Sequence, residues 1–113
     1  MLRGITTTLV AILVSATAAY ADPIEGNWRT ARGETARIAS CGGNFCITLK
    51  TGKFSGKHIG SMSADGGGSY SGSITDPEND KTYSGSGSLS GSTLKMEGCV
   101  LGVLCKSQTW RRM

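Results

Sequence analysis

Residues 69–99 form the stretch that most constrains the fold of this chain. Serines alternate there with Tyr, Gly, Ile and Leu on both sides of an acidic turn at residues 76–81. A period of two is typical of a β-strand with one buried side and one solvent-facing side. The stretch therefore predicts strands at residues 69–75 and 82–90, a two-residue hairpin turn, and a further strand at residues 93–99.

The remainder of the chain has the same character. Further strands are predicted at residues 24–31, 34–40, 45–50, 57–63 and 106–112, separated by turn residues such as Gly42-Gly43-Asn44. Short strands at this spacing are typical of a sandwich or a closed barrel, and eight meandering strands can close and remove their exposed edges. We predict an all-β fold, a small antiparallel up-and-down β-barrel of about eight strands.

Four glycines fall on the apolar side of the predicted strands. They are Gly72, Gly85, Gly87 and Gly98. A glycine at such a position allows a sharp bend of the barrel or leaves a small hollow inside it. Both interpretations stay open from the sequence.

The first residues have the pattern of an export signal. Arg3 precedes an apolar run over residues 5–19, and Ala19-Tyr20-Ala21 matches a cleavage site with small residues. A transmembrane anchor is the alternative, but the run is short for a bilayer. We predict cleavage after Ala21, a periplasmic or secreted location, no membrane span after signal removal, and one domain over residues 22–113.

The charge of that domain indicates a solvated surface. Removing Arg3 from the 12 Lys and Arg leaves 11, against 8 Asp and Glu, for a net charge of +3. The basic residues are scattered along the chain, which argues against a nucleic-acid partner. We expect a monomer.

The four cysteines are predicted to form two local disulfides, Cys41–Cys46 and Cys99–Cys105. All four fall on the polar side of their strands, where each pair can bridge a tight connection. Chain entropy alone would favour a longer loop, at about 4.2 against about 2.3 kcal/mol, so local geometry and closure speed decide. A zinc site is the alternative, but it is disfavoured by the C-x4-C and C-x5-C spacings and by export.

The acidic turn resembles the start of a calcium loop, because Asp76, Glu78 and Asp80 alternate. However, Lys81 stands where such a loop needs Gly. We therefore interpret the segment as a turn in which Pro77 fixes the backbone, and we predict no metal and no cofactor.

Catalytic residues are not indicated. His58 is the single histidine, and a nucleophile elbow between strand and helix has no place in an all-β chain. We predict that the protein is not an enzyme. Ser84, Ser86, Ser88 and Ser90 are interpreted as a solvated strand face, with a polar surface for a partner or glycan as the alternative.

Large aromatic side chains are expected to fill the barrel, since few other large apolar residues are available. They are Trp28, Phe45, Tyr70, Tyr83 and Trp110.

Several segments follow one another as in a known bacterial family. They are Gly26-Asn27-Trp28, the loop at residues 41–46, Asp76-Pro77 through Lys81-Thr82-Tyr83, residues 94–99, and the ending at residues 108–112. Over essentially all of residues 22–113, the chain is similar to the exported family of domain of unknown function 2147. Members of that family resemble lipocalins, small antiparallel barrels that often hold an apolar ligand.

The lipocalin resemblance also implies a role for two residues. In lipocalins an Arg late in the chain lies over the Trp of a Gly-x-Trp motif and closes one end of the barrel. By this resemblance Trp28 and Arg112 would be the barrel-closing pair.

The sequence leaves three functions open, of which the third is envelope maintenance with no discrete ligand. The first is a non-enzymatic exported barrel that binds a small apolar ligand. The second is a module that binds an envelope protein, such as an inhibitor of a lysozyme or protease, through the loop at residues 64–68 or the turn. The candidate turn residues are Asp76, Pro77, Glu78, Asp80, Lys81 and Tyr83.

Overall fold

Eight antiparallel strands form the computed structural model, which describes residues 22–100 and 104–113. Each strand pairs with the next, and β1 also pairs with β8, so the sheet closes into a barrel. The prediction of an all-β up-and-down barrel is confirmed. The strands are β1 (Gly26–Arg29), β2 (Thr35–Cys41), β3 (Asn44–Leu49), β4 (His58–Gly66), β5 (Ser69–Asp76), β6 (Lys81–Ser90), β7 (Thr93–Val100) and β8 (Leu104–Arg112).

The strand bounds differ most from the prediction in β1, which is shorter than residues 24–31. Before it, the Glu25 amide donates to the Asp22 carbonyl at 2.8 Å, and after it the Gly33 amide donates to the Thr30 carbonyl at 2.9 Å. These turns use backbone groups that a longer strand would have placed in the ladder. Conversely, β4 runs on to Gly66, past a register shift near Ala64.

The predicted signal peptide, residues 1–21, lies outside the described residues, as do residues 101–103 between the strands predicted at residues 93–99 and 106–112. No helix in the described part of the chain has the length and apolar character needed to cross a membrane.

Inward-facing residues of all eight strands form the interior of the barrel. The alternation works as predicted in β2, where Ala36 and Ile38 are buried and Arg37 between them is exposed. The largest fully buried side chains are Trp28, Ile24, Ile38, Ile47, Leu49, Met62 and Leu94. On the outer face of β6 the four serines are exposed. A single apolar face per strand therefore supplies the core.

Two of the inner-face glycines allow close packing. A Cβ at Gly72 would overlap the carbonyl oxygen of Ser61 in β4, so only glycine permits this approach of the strands. A Cβ at Gly85 would lie 2.7 Å from the Ile74 side chain, which already occupies that space. These glycines make room for neighbours instead of leaving a hollow.

The up-and-down connections define two ends of the barrel. The closed end comprises residues 22–25 and the connections β2–β3, β4–β5 and β6–β7. The open end comprises the connections β1–β2, β3–β4 and β5–β6, together with the end of β7 and the start of β8. Each end carries one disulfide.

Both predicted disulfides are confirmed. Cys41–Cys46 lies at the closed end with Cα atoms 5.8 Å apart, and Cys99–Cys105 lies at the open end with Cα atoms 4.1 Å apart. Cys99 and Cys105 are directly opposite in the ladder between β7 and β8. The two bridges therefore staple opposite ends of the barrel.

Candidate functional site

A cavity of about 130 Å³ enters the barrel from the open end. Its floor is apolar and its rim is polar. The floor consists of Leu49, Ile59, Ile74, Met96 and Trp110, and the rim includes Thr30, Arg32, Glu34, Asp76, Lys106 and Gln108. An apolar pocket with a few polar groups at its mouth is the usual form of a small-molecule site.

The floor is apolar because inward positions of five strands converge there. Trp110 is paired with Leu94 in the ladder between β7 and β8 and is 4% exposed. Its ring forms part of the cavity floor. The indole Nε1 of Trp110 donates to Gln108 Oε1 at 3.1 Å. Since this bond satisfies the polar edge of the ring, the remaining surface that Trp110 offers a ligand is apolar.

Two exposed ion pairs connect the loops around the mouth. Arg32 Nη1 lies 2.8 Å from Glu78 Oε1 and links the β1–β2 and β5–β6 connections. Lys57 pairs with Asp80 and links the β3–β4 connection to the same turn. Exposed pairs contribute about 0–1 kcal/mol each, so they position the loops more than they stabilise the fold.

The acidic turn folds on its own side chains. Asp76 Oδ1 accepts from the Glu78 amide at 2.9 Å, and Asn79 Oδ1 accepts from the Lys81 amide at 2.9 Å. Glu78 and Asp80 reach cations on different neighbouring loops. The carboxylates therefore do not converge as calcium ligands would.

The predicted turn residues separate into two groups. Asp76, Pro77 and Tyr83 line the cavity. Glu78 and Asp80 hold the mouth from outside through their ion pairs, and Lys81 is exposed opposite Asp76 in the ladder. Only part of the predicted turn site therefore borders the space that a ligand could enter.

One cluster of potential metal ligands lies on the outer face near the open end. The ligand atoms of Glu97, Cys99 and Cys105 lie within 4.8 Å of one another. Both sulfur atoms belong to the disulfide, so this group offers a single carboxylate, which also accepts from the Ser107 hydroxyl at 3.1 Å. With its sulfur atoms bonded to each other, the cluster lacks the thiolates that zinc requires.

At the closed end, Arg112 lies over Trp28. The guanidinium carbon is 4.3 Å from the ring centroid, and the two residues are partners in the ladder between β1 and β8. Arg112 also donates to the backbone oxygens of Glu25, at 3.0 Å, and Pro23. The Trp28 indole donates to the Ile24 carbonyl at 2.9 Å. The residues that lipocalin resemblance singled out thus bind the segment that covers this end.

Tyr70 adds a second connection to that segment. Its hydroxyl donates to Asp22 Oδ1 at 2.5 Å, and its ring makes an edge contact with Phe45 at 6.0 Å between centroids. Burial raises the pKa of Tyr70 to about 12. The hydrogen bond to Asp22 and the negative charge of that carboxylate act in the same direction with smaller effects. The neutral phenol is therefore the form that the closed end favours.

The other aromatic and polar candidates lie in different places. Trp28, Tyr70 and Trp110 are buried, whereas Phe45 and Tyr83 are half-buried. His58 is exposed at the start of β4 and does not line the cavity. On the outer face of the barrel, serines of β5 lie opposite serines of β6 in the ladder, as in the pair Ser71 and Ser86. These outer groups are separate from the cavity.

Most cavity residues were missed by sequence reasoning. Leu49, Ile59 and Met96 have inward parity in their strands, which predicts burial but not which end of the barrel they reach. That information requires the stagger between strands. Arg32 and Glu34 lie in a turn whose sequence carries no signal of a cavity.

Comparisons with known proteins identify a family. The model of the family described as uncharacterized protein conserved in bacteria (DUF2147) matches residues 47–112. The matched segment contains β4 to β8 and the end of β3. Neither curated proteins nor solved structures gave a match.

Proposed function

The chain belongs to the bacterial family DUF2147, and we propose that it is an exported, non-enzymatic barrel that holds a small apolar ligand in the open-end cavity. One observation carries this proposal. At the open end the lumen keeps a cavity of about 130 Å³ with an apolar floor and a polar rim, whereas the hollow at the closed end, of about 210 Å³, lies among Asp22, Pro23 and the β4–β5 connection.

The size of the cavity limits the ligand. An apolar cavity of roughly 150 Å³ in another protein takes up benzene, and sites for drug-sized molecules have about 300–1,000 Å³. The open-end cavity therefore suits one ring or a short alkyl chain, with the remainder of the ligand at the polar rim. This is a smaller ligand than the lipocalin resemblance would suggest.

Export is supported by the predicted signal and by the two disulfides. Disulfides persist in oxidising compartments and are rare where thiols are kept reduced. A periplasmic or secreted barrel would meet small apolar molecules before they reach the cell membrane. A non-enzymatic role agrees with the position of His58, which is exposed and outside the cavity lining.

The proposal is tested by melting the mature chain, residues 22–113, with a graded set of compounds. Benzene, phenol and hexanol should raise the melting temperature, and naphthalene should not. A ligand at 100 times its Kd stabilises by about 2.7 kcal/mol, which is a readily measured shift. Binding should also change the fluorescence of Trp110, which borders the cavity.

Two matched substitutions locate the binding site. Ile74→Phe places a ring in the open-end cavity, and Leu89→Phe places one in the hollow of about 210 Å³ at the closed end. The first should abolish the ligand-induced shift and the second should preserve it. The proposal is overturned if no compound binds, or if the Ile74→Phe protein binds as well as the unsubstituted one.

A second candidate is recognition of a partner protein through the turn at residues 76–81. The turn is preordered by the two side-chain caps and two ion pairs, while Glu78, Asn79 and Asp80 remain exposed. Preordering lowers the entropic cost of binding a protein. Native mass spectrometry of protein from its own periplasm distinguishes the candidates. A retained small molecule supports the first, and a bound protein with an empty cavity supports the second.

A further inference from the structure

Asp22, the residue that follows the predicted cleavage site, is held by four hydrogen bonds at the closed end. Its backbone nitrogen donates to Glu25 Oε2 at 2.8 Å, and its carbonyl accepts from the Glu25 amide at 2.8 Å. Its carboxylate accepts from the Ile24 amide at 3.0 Å and from the Tyr70 hydroxyl. This is an unusually complete set of partners for a residue expected to begin a mature chain.

The acceptor of the Asp22 nitrogen is itself fixed in place. Glu25 Oε1 accepts from the Ser40 amide of β2 at 2.9 Å, which leaves Oε2 directed at Asp22. Arg112 binds the backbone oxygen of Glu25 and not its carboxylate. Glu25 is not a member of either of the two ion pairs found among the described residues, Arg32–Glu78 and Lys57–Asp80. The Glu25 carboxylate thus faces the Asp22 nitrogen without a cationic side chain paired to it.

We propose that cleavage before Asp22 completes the closed end, because Glu25 is a built receptor for the new amino terminus. Water adds across the peptide bond, Ala21 leaves with a carboxylate, and the Asp22 nitrogen becomes an amino group. Its ordinary pKa is about 7.7–8.0, so near neutral pH it takes up a proton. The resulting ammonium donates to Glu25 Oε2.

Cleavage changes the strength of this contact and not its position. Before cleavage the donor is a neutral amide, and afterwards it is a cation with three hydrogens. Charge-assisted hydrogen bonds are roughly twice as strong as neutral ones. The other charged or titratable groups at this point are the Asp22 carboxylate, Tyr70 and Arg112. Processing would therefore stabilise the folded barrel after export.

The test uses four proteins. One is the mature chain starting at Asp22, the second is the same chain preceded by one glycine, and the others are these two with Glu25→Gln. The added glycine keeps the Asp22 nitrogen as a neutral amide and moves the charged amino group one residue further along the chain. The chain starting at Asp22 should melt higher by about 4–8 °C, the shift that corresponds to roughly 1 kcal/mol in a domain of this size. Glu25→Gln should remove that difference in melting temperature. The substituted side chain is uncharged and has one oxygen, which accepts from the Ser40 amide and leaves no acceptor for the amino terminus.

Glu34→Gln serves as the control, because Glu34 lies at the open end. This substitution should leave unchanged the difference in melting temperature between the chain starting at Asp22 and the glycine-extended chain. Equal melting temperatures for the two starts, or a difference that survives Glu25→Gln, would refute the proposal. If the Glu25→Gln proteins do not fold, an enzymatically acetylated Asp22 start replaces them and should melt like the glycine-extended chain. Mass spectrometry of the exported protein must also show a chain that begins at Asp22.

Discussion

The closed and open ends are built from the same eight strands, yet in the described part of the chain only the closed end is covered by a chain segment packed against the core. At the closed end, residues 22–25 pass under the barrel and bring Ile24 against Trp28, and both are fully buried. At the open end no such segment exists among the described residues, and exposed ion pairs connect the loops around a cavity. The comparison separates an end that is covered by packed side chains from the end where we propose that a ligand binds.

Different kinds of interaction explain this division. The closed end combines a buried indole, a guanidinium over its face and hydrogen bonds to carbonyl oxygens. Burial of a large aromatic side chain is worth several times an exposed ion pair. Substitutions at the closed end should therefore change stability, and those at the open end should change binding. Four predictions test this comparison.

The largest effect is expected for Trp28→Ala. Removing a fully buried indole should cost about 3–5 kcal/mol, because it leaves a cavity under Arg112 and releases residues 22–25. Urea unfolding measures the change. Leu104→Ala, at a side chain that is 69% exposed, is the control and should change stability by less than about 0.5 kcal/mol. An unchanged midpoint for Trp28→Ala would show that the closed end does not carry stability.

The two disulfides provide the next test, since they lie at opposite ends. Replacing either pair by serines should cost about 2.3 kcal/mol, because the closed loops are of similar length. Only loss of Cys99–Cys105 should also weaken ligand binding, since Gly98 and Lys106 beside it line the cavity. Melting curves with and without ligand separate the two effects. Equal loss of binding in both variants would contradict the division between the ends.

Arg112→Met should cost about 1–2 kcal/mol. It removes the cation over Trp28 and the hydrogen bonds to Pro23 and Glu25, while keeping most of the apolar stem. Arg111→Met is the matched control on the outer face and should be nearly neutral. Thermal unfolding of both proteins gives the comparison. Similar losses in both would mean that the contact with Trp28 contributes little.

The smallest effect is a dependence on alkaline pH at the closed end. Tyrosine ionises near pH 10.0 when unfolded, whereas the pKa of Tyr70 is raised to about 12 in the barrel. The folded state thus prefers the neutral phenol, so this contribution is complete below pH 10 and is lost as pH rises toward 12. Between pH 9 and pH 11 the loss should be about 1 kcal/mol.

Tyr70→Phe removes this titration, so its stability should fall less steeply over the same range than that of the unsubstituted protein. Tyr83→Phe, which leaves Tyr70 in place, should keep the original slope. Urea unfolding at several pH values measures all three slopes. Parallel slopes for Tyr70→Phe and the unsubstituted protein would show that Tyr70 is not linked to folding.

Local patterns in the chain were sufficient for the barrel and for both disulfides. The alternation in residues 69–90 specifies which side chains face inward, and the cysteine spacings allow each bridge to span one connection. These features depend on neighbours in sequence or on adjacent strands. The family resemblance also pairs Arg112 with Trp28, and in the structure the guanidinium lies over the indole ring.

The cavity and the contacts of Asp22 could not be read from the same patterns. Ile74 and Leu89 have similar inward character, yet one borders the open-end cavity and the other lies at the closed end. Their difference arises from strand stagger and from the path of residues 22–25, which bring together groups up to 89 positions apart. Periodicity specifies on which face of a strand a side chain lies. The depth of that side chain along the barrel axis is set only when all eight strands close.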